Sequence, residues 1–100
     1  MIVSAWNNGD YSETGAGYGL RISKKDKIKY FIQSWEKVTI ILDGQEVHVN
    51  LTDSFWRNCK ELRSQKIGQW LIEKGHYKWG KGKPPKFILE HVNENIFKLT

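Results

Sequence analysis

The sequence predicts a mainly β fold, an open antiparallel barrel decorated by two short helices, and three observations carry that expectation. Asp43-Gly44 stands between the apolar runs "KVTIILD" and "QEVHVNL", and an Asp-Gly pair in that setting is among the strongest short hairpin signals. A second pair of runs, "KFILEHV" and "IFKL", flanks Asn93-Glu94-Asn95 and closes the chain with another hairpin. The regular strand-helix-strand alternation that builds a parallel nucleotide-binding sheet is missing.

The elements follow in order. "IVSAW" at 2 to 6 reads as a first strand, and the polar stretch "NNGDYSETGAG" as a loop. "YGLRI" at 18 to 22 alternates at the strand period, so the glycines of "GAGYGLRISKK" precede a strand. A phosphate cradle needs its glycines between a strand and a helix N-terminus, so a nucleotide site is disfavoured. Ser23 caps a short helix through about Phe31, with Ile28 and Phe31 or Ile32 as its apolar face. After the Asp43-Gly44 hairpin, "TDSFWRNCKELRS" fits a helical stripe of Phe55, Cys59 and Leu62 and also a strand through "CKELR". Ser64 caps a helix from Gln65 to Lys74, with Ile67, Trp70 and Leu71 on one face and Gly75 as its stop. "HYKWGKGKPP" is a loop by its Gly and Pro content.

One hundred residues form a single domain, 1–100, with room for one modest core. The single cysteine, Cys59, excludes an internal disulfide, and no N-terminal apolar run has the length of a signal sequence or membrane span. A reducing, cytoplasmic setting is expected.

Chemistry by catalysis or metal finds little support. His48, His76 and His91 lack zinc-motif spacing with each other or with Cys59, which with Leu62 looks like a core or semi-core pair. The carboxylates are scattered, whereas a nuclease gathers two or three of them with a lysine around a metal. "WGKGKPP" lacks the closing Lys-Ser/Thr of a Walker loop and precedes a strand. No cofactor and no metal are expected.

The charge distribution is more informative. The net charge of +5 concentrates in residues 24 to 37, a local +3, and in residues 75 to 87, where Lys78, Lys81, Lys83 and Lys86 meet no acid. Clustered positive charge suits a polyanion, although lysines also simply solubilise a surface. Trp35 and Trp70 sit in apolar contexts and read as core. Trp6, Trp56 and Trp79 sit instead beside polar or basic residues, in "WNNG", "FWRNCK" and "KWGKGK". Rings interleaved with Asn, Arg and Lys suit a nucleic-acid surface; the alternative is that all five tryptophans anchor loops against a small core.

The order of segments from about residue 15 to 100 resembles the DNA-binding pseudobarrel. Plant transcription factors of the auxin-response and abscisic-acid-response type share that fold with recognition domains of some bacterial restriction endonucleases. The resemblance rests on "LRISKKDKIKYF", "VTIILDGQEVHVNL", "ELRS", "KIGQWLIEKG" and "KFILE" followed by "IFKL". "YKWGKGKPP" is similar to a Trp-Gly-basic-Gly-x-Pro loop in a restriction-enzyme effector domain. Ser23 stands where the plant proteins usually carry proline, and "KGKPP" replaces their Gly-Asp turn, departures that suit a bacterial branch better.

The resemblance implies a wrench-like grip, in which two loops, or arms, enter the major groove. By position the arms are residues 6 to 18 and 50 to 60, and the glycines would let the first bend and approach DNA. Asn7, Asn8, Arg57 and Asn58 would read bases, with Trp56 as a packing or sugar contact and Trp6 beside them on the first arm. Arg21, Lys24, Lys25, Lys81 and Lys83 would hold phosphates. The expected function is therefore a sequence- or modification-sensitive double-stranded DNA-binding domain without catalysis of its own, in a bacterial restriction, phage-defence or regulatory system. A nuclease or other effector is a further expected partner. The alternative is a protein-interaction module with Trp56 and Trp79 as hot spots.

Overall fold

A computed structural model describes residues 1–76 and 78–100. Tyr77, which the sequence places in the loop "HYKWGKGKPP", lies outside the described residues. The strands are β1 (Ile2–Asn7), β2 (Tyr18–Arg21), β3 (Lys37–Leu42), β4 (Gln45–Asn50), β5 (Glu61–Arg63), β6 (Lys86–Asn93) and β7 (Ile96–Leu99). They join in one sheet of order β4-β3-β7-β6-β1-β2-β5. The edge strands β4 and β5 approach one another, so the sheet curls into a nearly closed barrel with an open seam.

Alternation at period two builds the core. Val3 and Ala5, Tyr18 and Leu20, Val38, Ile40 and Leu42, Val47 and Val49, and Phe97 and Leu99 all point inward. Register keeps them together: Leu20 lies opposite Ala5 and Leu62, and Ile40 opposite Val47 and Phe97. Each fully buried Leu, Ile or Phe contributes about 1.5–3 kcal/mol relative to exposure. Asp43 and Gly44 both hold positive φ, at 48° and 83°, as a two-residue turn matched to strand twist requires. The closing hairpin turns at Glu94, φ 45°, after an irregularity between His91 and Asn93.

Two features differ from the sequence expectation. One pairing, β3 with β7, is parallel, because β7 returns from the β6 hairpin alongside β3 rather than against it. There are also three short helices, α1 (Lys24–Tyr30), α2 (Asp53–Arg57) and α3 (Gln65–Glu73). The segment of double character resolves into both readings: α2, capped by the Thr52 hydroxyl, is followed by β5.

Ser23 caps α1 as expected, but its inner face is Lys27 and Phe31, while Ile28 is 71% exposed and Ile32 also faces solvent. Phe31 stacks on Phe97 at 5.0 Å, and Trp35 and Phe55 pack edgewise or tilted around Phe31. The Ser64 hydroxyl caps α3, which packs against β2 and buries Ile67, Trp70 and Leu71. The Asp43 carboxylate accepts from Trp70 Nε1 at 3.0 Å and Lys74 Nζ at 2.9 Å, pinning α3 to the hairpin turn. Among the described residues, no helix is long and apolar enough to cross a membrane.

Candidate nucleic-acid interface

Residues directly opposite in a sheet project to the same side, so register alone sets the outer face. One row runs Lys86, Ser4, Arg21, Glu61 across β6, β1, β2 and β5. The next runs Trp6, Gly19, Arg63. Gly19 contributes no side chain, and the Arg63 guanidinium lies over the Trp6 ring at 4.6 Å. Arg63 Nη2 also donates to Glu61 Oε1 at 3.2 Å.

Glu61 is the hub of this patch, with a side chain only 10% exposed. Its carboxylate accepts from the Lys60 backbone N–H at 3.0 Å and Cys59 Sγ at 3.5 Å, and Arg21 Nε lies 3.7 Å away. Burial pushes the Glu61 pKa up, but the Arg63, Lys60 and Cys59 donors and the Arg21 charge together hold it below the usual carboxylate value. A carboxyl depressed in the folded state stabilises the fold above its unfolded value of about 4.3, and loses that contribution as pH falls through the folded value. The stability difference between the wild type and Glu61→Gln should therefore shrink from about pH 5 downwards, as measured by melting temperature against pH. A difference that stays constant to about pH 3 would mean that Glu61 titrates normally.

The first arm is built into the fold. Gln65 Nε2 and Gln69 Nε2 of α3 donate to the Thr14 carbonyl at 3.1 and 3.4 Å, and the Gly15 backbone packs directly on Gly68. Tyr11 meets Trp79 edge-on at 5.5 Å, and Tyr18 lies 6.2 Å from the same ring. Asn7 Oδ1 accepts from Gly9 N at 2.7 Å, Asn7 Nδ2 donates to the Asp10 carbonyl, and Asn8 Oδ1 accepts from Asp10 N. The glycines accordingly serve close approaches within the chain, Gly15 to α3, Gly17 to Asn8 and Gly19 to the Leu62 carbonyl, rather than a freely bending arm. A groove of about 250 Å3 lies between this arm and the loop 78–85, lined by Trp6, Asn7, Tyr11, Arg21, Trp79 and Gly82 among others. It brings Trp6, Asn7 and Arg21 beside the exposed loop that carries Lys81 and Lys83.

The second arm contains α2. Phe55 is buried, Trp56 is half-buried edge-on against Phe55 at 5.1 Å, and Arg57 and Asn58 are exposed at the end of the helix. Arg57 is 78% exposed, with Asp53 at 3.7 Å one turn away. Lys27 ties this arm to α1: its Nζ donates to the Phe55 carbonyl and, at 3.4 Å, to that of Cys59, and lies 4.8 Å from the Phe55 ring centroid. Burial lowers the Lys27 pKa, opposed by Cys59 and reinforced by the charges of Lys60 and Lys24. Lys27 thus works inside the fold, leaving Lys24, Lys25 and Lys60 as exposed cations around this corner.

β2 and β5 run antiparallel, so the first arm enters the patch at Tyr18 and the second at Glu61, opposite Arg21. At about 3.3 Å per residue, the four residues of β2 hold the arm roots roughly 10–13 Å apart, with the outer face between them. Trp6, Asn7 and Asn8 stand at one end; Lys24, Lys25, Trp56, Arg57 and Asn58 belong to the other. Sequence reasoning missed Arg63 and Glu61, and gave no contact of their own to Lys60, which ends the second arm, or to Lys86, which belongs to the basic run 75 to 87. The two-residue spacing of Glu61 and Arg63 in "CKELRS" was the available signal, and it required knowing that the segment is a strand.

Among the described residues, no three His, Cys, Asp or Glu side chains converge. Comparison of the chain with protein-family models, curated proteins and solved structures finds no match.

Proposed function

We propose that this chain is a double-stranded DNA-binding domain, sensitive to sequence or base modification and without catalysis of its own, that grips the major groove with its two arms. The observation that carries the reading is the outer face of β1, β2 and β5, which presents Arg21 and Arg63, with Trp6 at the root of the first arm, between two arms rooted at its opposite ends. The spacing of the arm roots is close to the roughly 12 Å width of the major groove. Lys81 and Lys83 at one end and Lys24, Lys25 and Lys60 at the other would meet the flanking phosphates, which position the protein, while base edges supply specificity. A cytoplasmic bacterial restriction, phage-defence or regulatory system suits such a module, with a nuclease or other effector as its partner.

The protein-interaction alternative rests on Trp56 and Trp79 as exposed anchors. Both rings are half-buried against their own neighbours, Phe55 for Trp56 and Tyr11 and Tyr18 for Trp79, so neither is offered as a free hot spot.

Fluorescence anisotropy with labelled duplexes of about 20 base pairs tests the proposal. Binding at about 50 mM salt is expected, and a folded protein that binds no duplex there overturns it. Arg57→Ala should weaken binding to the preferred duplex by about 1–3 kcal/mol while sparing nonspecific binding, as loss of a base contact does. Equal loss on every sequence would instead make Arg57 a phosphate contact.

A further inference from the structure

We infer that Arg63 reads a guanine from the sheet face between the two arms, an assignment that rests on duplex DNA as the partner. Arg63 lies on neither arm, and what distinguishes it is that its guanidinium is already held. The Trp6 ring covers it at 4.6 Å, Glu61 Oε1 takes a hydrogen bond from Nη2 at 3.2 Å, and the side chain remains 59% exposed. Glu61 is itself fixed by the Lys60 N–H and by its burial. The chain thus supplies a platform and a buttress, so Arg63 loses less rotamer freedom on binding than Arg57, whose partner Asp53 is itself highly exposed.

Charge and donor count then select the ligand. Glu61 cancels part of the Arg63 charge, which weakens the case for a phosphate contact, since phosphate attraction is mainly coulombic. Hydrogen-bond geometry survives: a guanidinium carries five donors in a planar fork and no acceptor, and Glu61 engages only part of that fork. In the major groove, guanine offers two adjacent acceptors, O6 and N7, whereas adenine and cytosine present donors there. Gly19, between Trp6 and Arg63, leaves the approach free of a β2 side chain.

The test is selection of bound duplexes from a random pool by the wild type, Arg63→Lys and Arg63→Ala, each checked for a retained melting transition. The wild type should select a site with guanine fixed at one position; Arg63→Ala should lose preference there alone, and Arg63→Lys should weaken it, since an ammonium reaches the guanine acceptors without a planar fork. Replacing that guanine with 7-deazaguanine, which removes N7, should weaken wild-type binding roughly 10-fold and leave Arg63→Ala unaffected. Glu61→Gln, which leaves Arg63 in place, should weaken the same preference part-way. Equal loss of affinity on every sequence in Arg63→Ala, restored by Arg63→Lys, would identify a phosphate contact and overturn the inference. So would wild-type affinity that is indifferent to 7-deazaguanine at every guanine in turn, a readout that needs no variant to fold. Duplex binding with an unchanged selected site in Arg63→Ala sinks this assignment alone; absence of all duplex binding by the wild type sinks the DNA reading with it.

Discussion

Gly68→Ala is expected to destabilise the protein by about 3 kcal/mol or more, the upper range for overpacking a core. A Cβ at position 68 would stand 2.0 Å from the Gly15 carbonyl oxygen and 2.7 Å from its carbon, far inside a favourable contact of roughly 3.5–4 Å. The obstacle is backbone, so no side chain can swing aside. Either α3 withdraws from the barrel, loosening Ile67, Trp70 and Leu71, or the first arm lifts and breaks the Gln65 and Gln69 bonds to Thr14. For a domain of this size the melting temperature should fall by on the order of 15 °C. Gly80→Ala is the control, because nothing lies within 4 Å of a Cβ there, and it should stay within about 0.5 kcal/mol of the wild type. A Gly68→Ala melting temperature within a few degrees of the wild type would show that the contact yields cheaply.

That contact also marks where sequence reasoning runs out. The Asp43-Gly44 turn, the Ser23 and Ser64 caps and the inward face of α3 were legible because their causes are local: a positive-φ pair, a hydroxyl over a free N–H, a spacing of three and four residues. The parallel pairing of β3 with β7 has no local cause, since it depends on where the β6 hairpin returns. The inner face of α1 was misread because apolar spacing favoured Ile28, whereas Lys27 buries its aliphatic stem and satisfies its ammonium on two carbonyls of the second arm. The site divides in the same way. Basic and aromatic composition pointed to Trp6 and the loop of Lys81 and Lys83, and the resemblance to Arg21, and these share one groove or its rim. The row Trp6, Gly19, Arg63 exists only once three strands are in register, and residues so far apart in sequence announce no such pairing, whereas the spacing of Glu61 and Arg63 signals the hub only once the segment is known to be a strand.

Duplex affinity should fall on the order of a hundredfold or more between 50 and 200 mM salt, the second large effect expected here. The exposed cations at the two ends of the face, Lys81 and Lys83 on the loop and Lys24, Lys25 and Lys60 near α1, would each displace condensed counterions on meeting a phosphate. Each neutralised phosphate contributes about −0.9 to the slope of log affinity against log salt, so a handful of contacts produces that loss. Lys81→Gln with Lys83→Gln should flatten the slope by up to about 2 units, equally for every sequence, because phosphates carry no sequence information. Lys27→Gln offers the contrast, since Lys27 is buried against Phe55 and Cys59 and would reach no phosphate. Its loss should lower stability, by about 1–3 kcal/mol for leaving buried acceptors unpaired, and leave the slope of the folded protein unchanged. A shallow slope in the wild type, or one that Lys81→Gln with Lys83→Gln leaves intact, would remove the loop 78–85 from the interface. A slope that instead responds to Lys27→Gln would mean that α1 reorganises on binding and releases its buried lysine to the duplex.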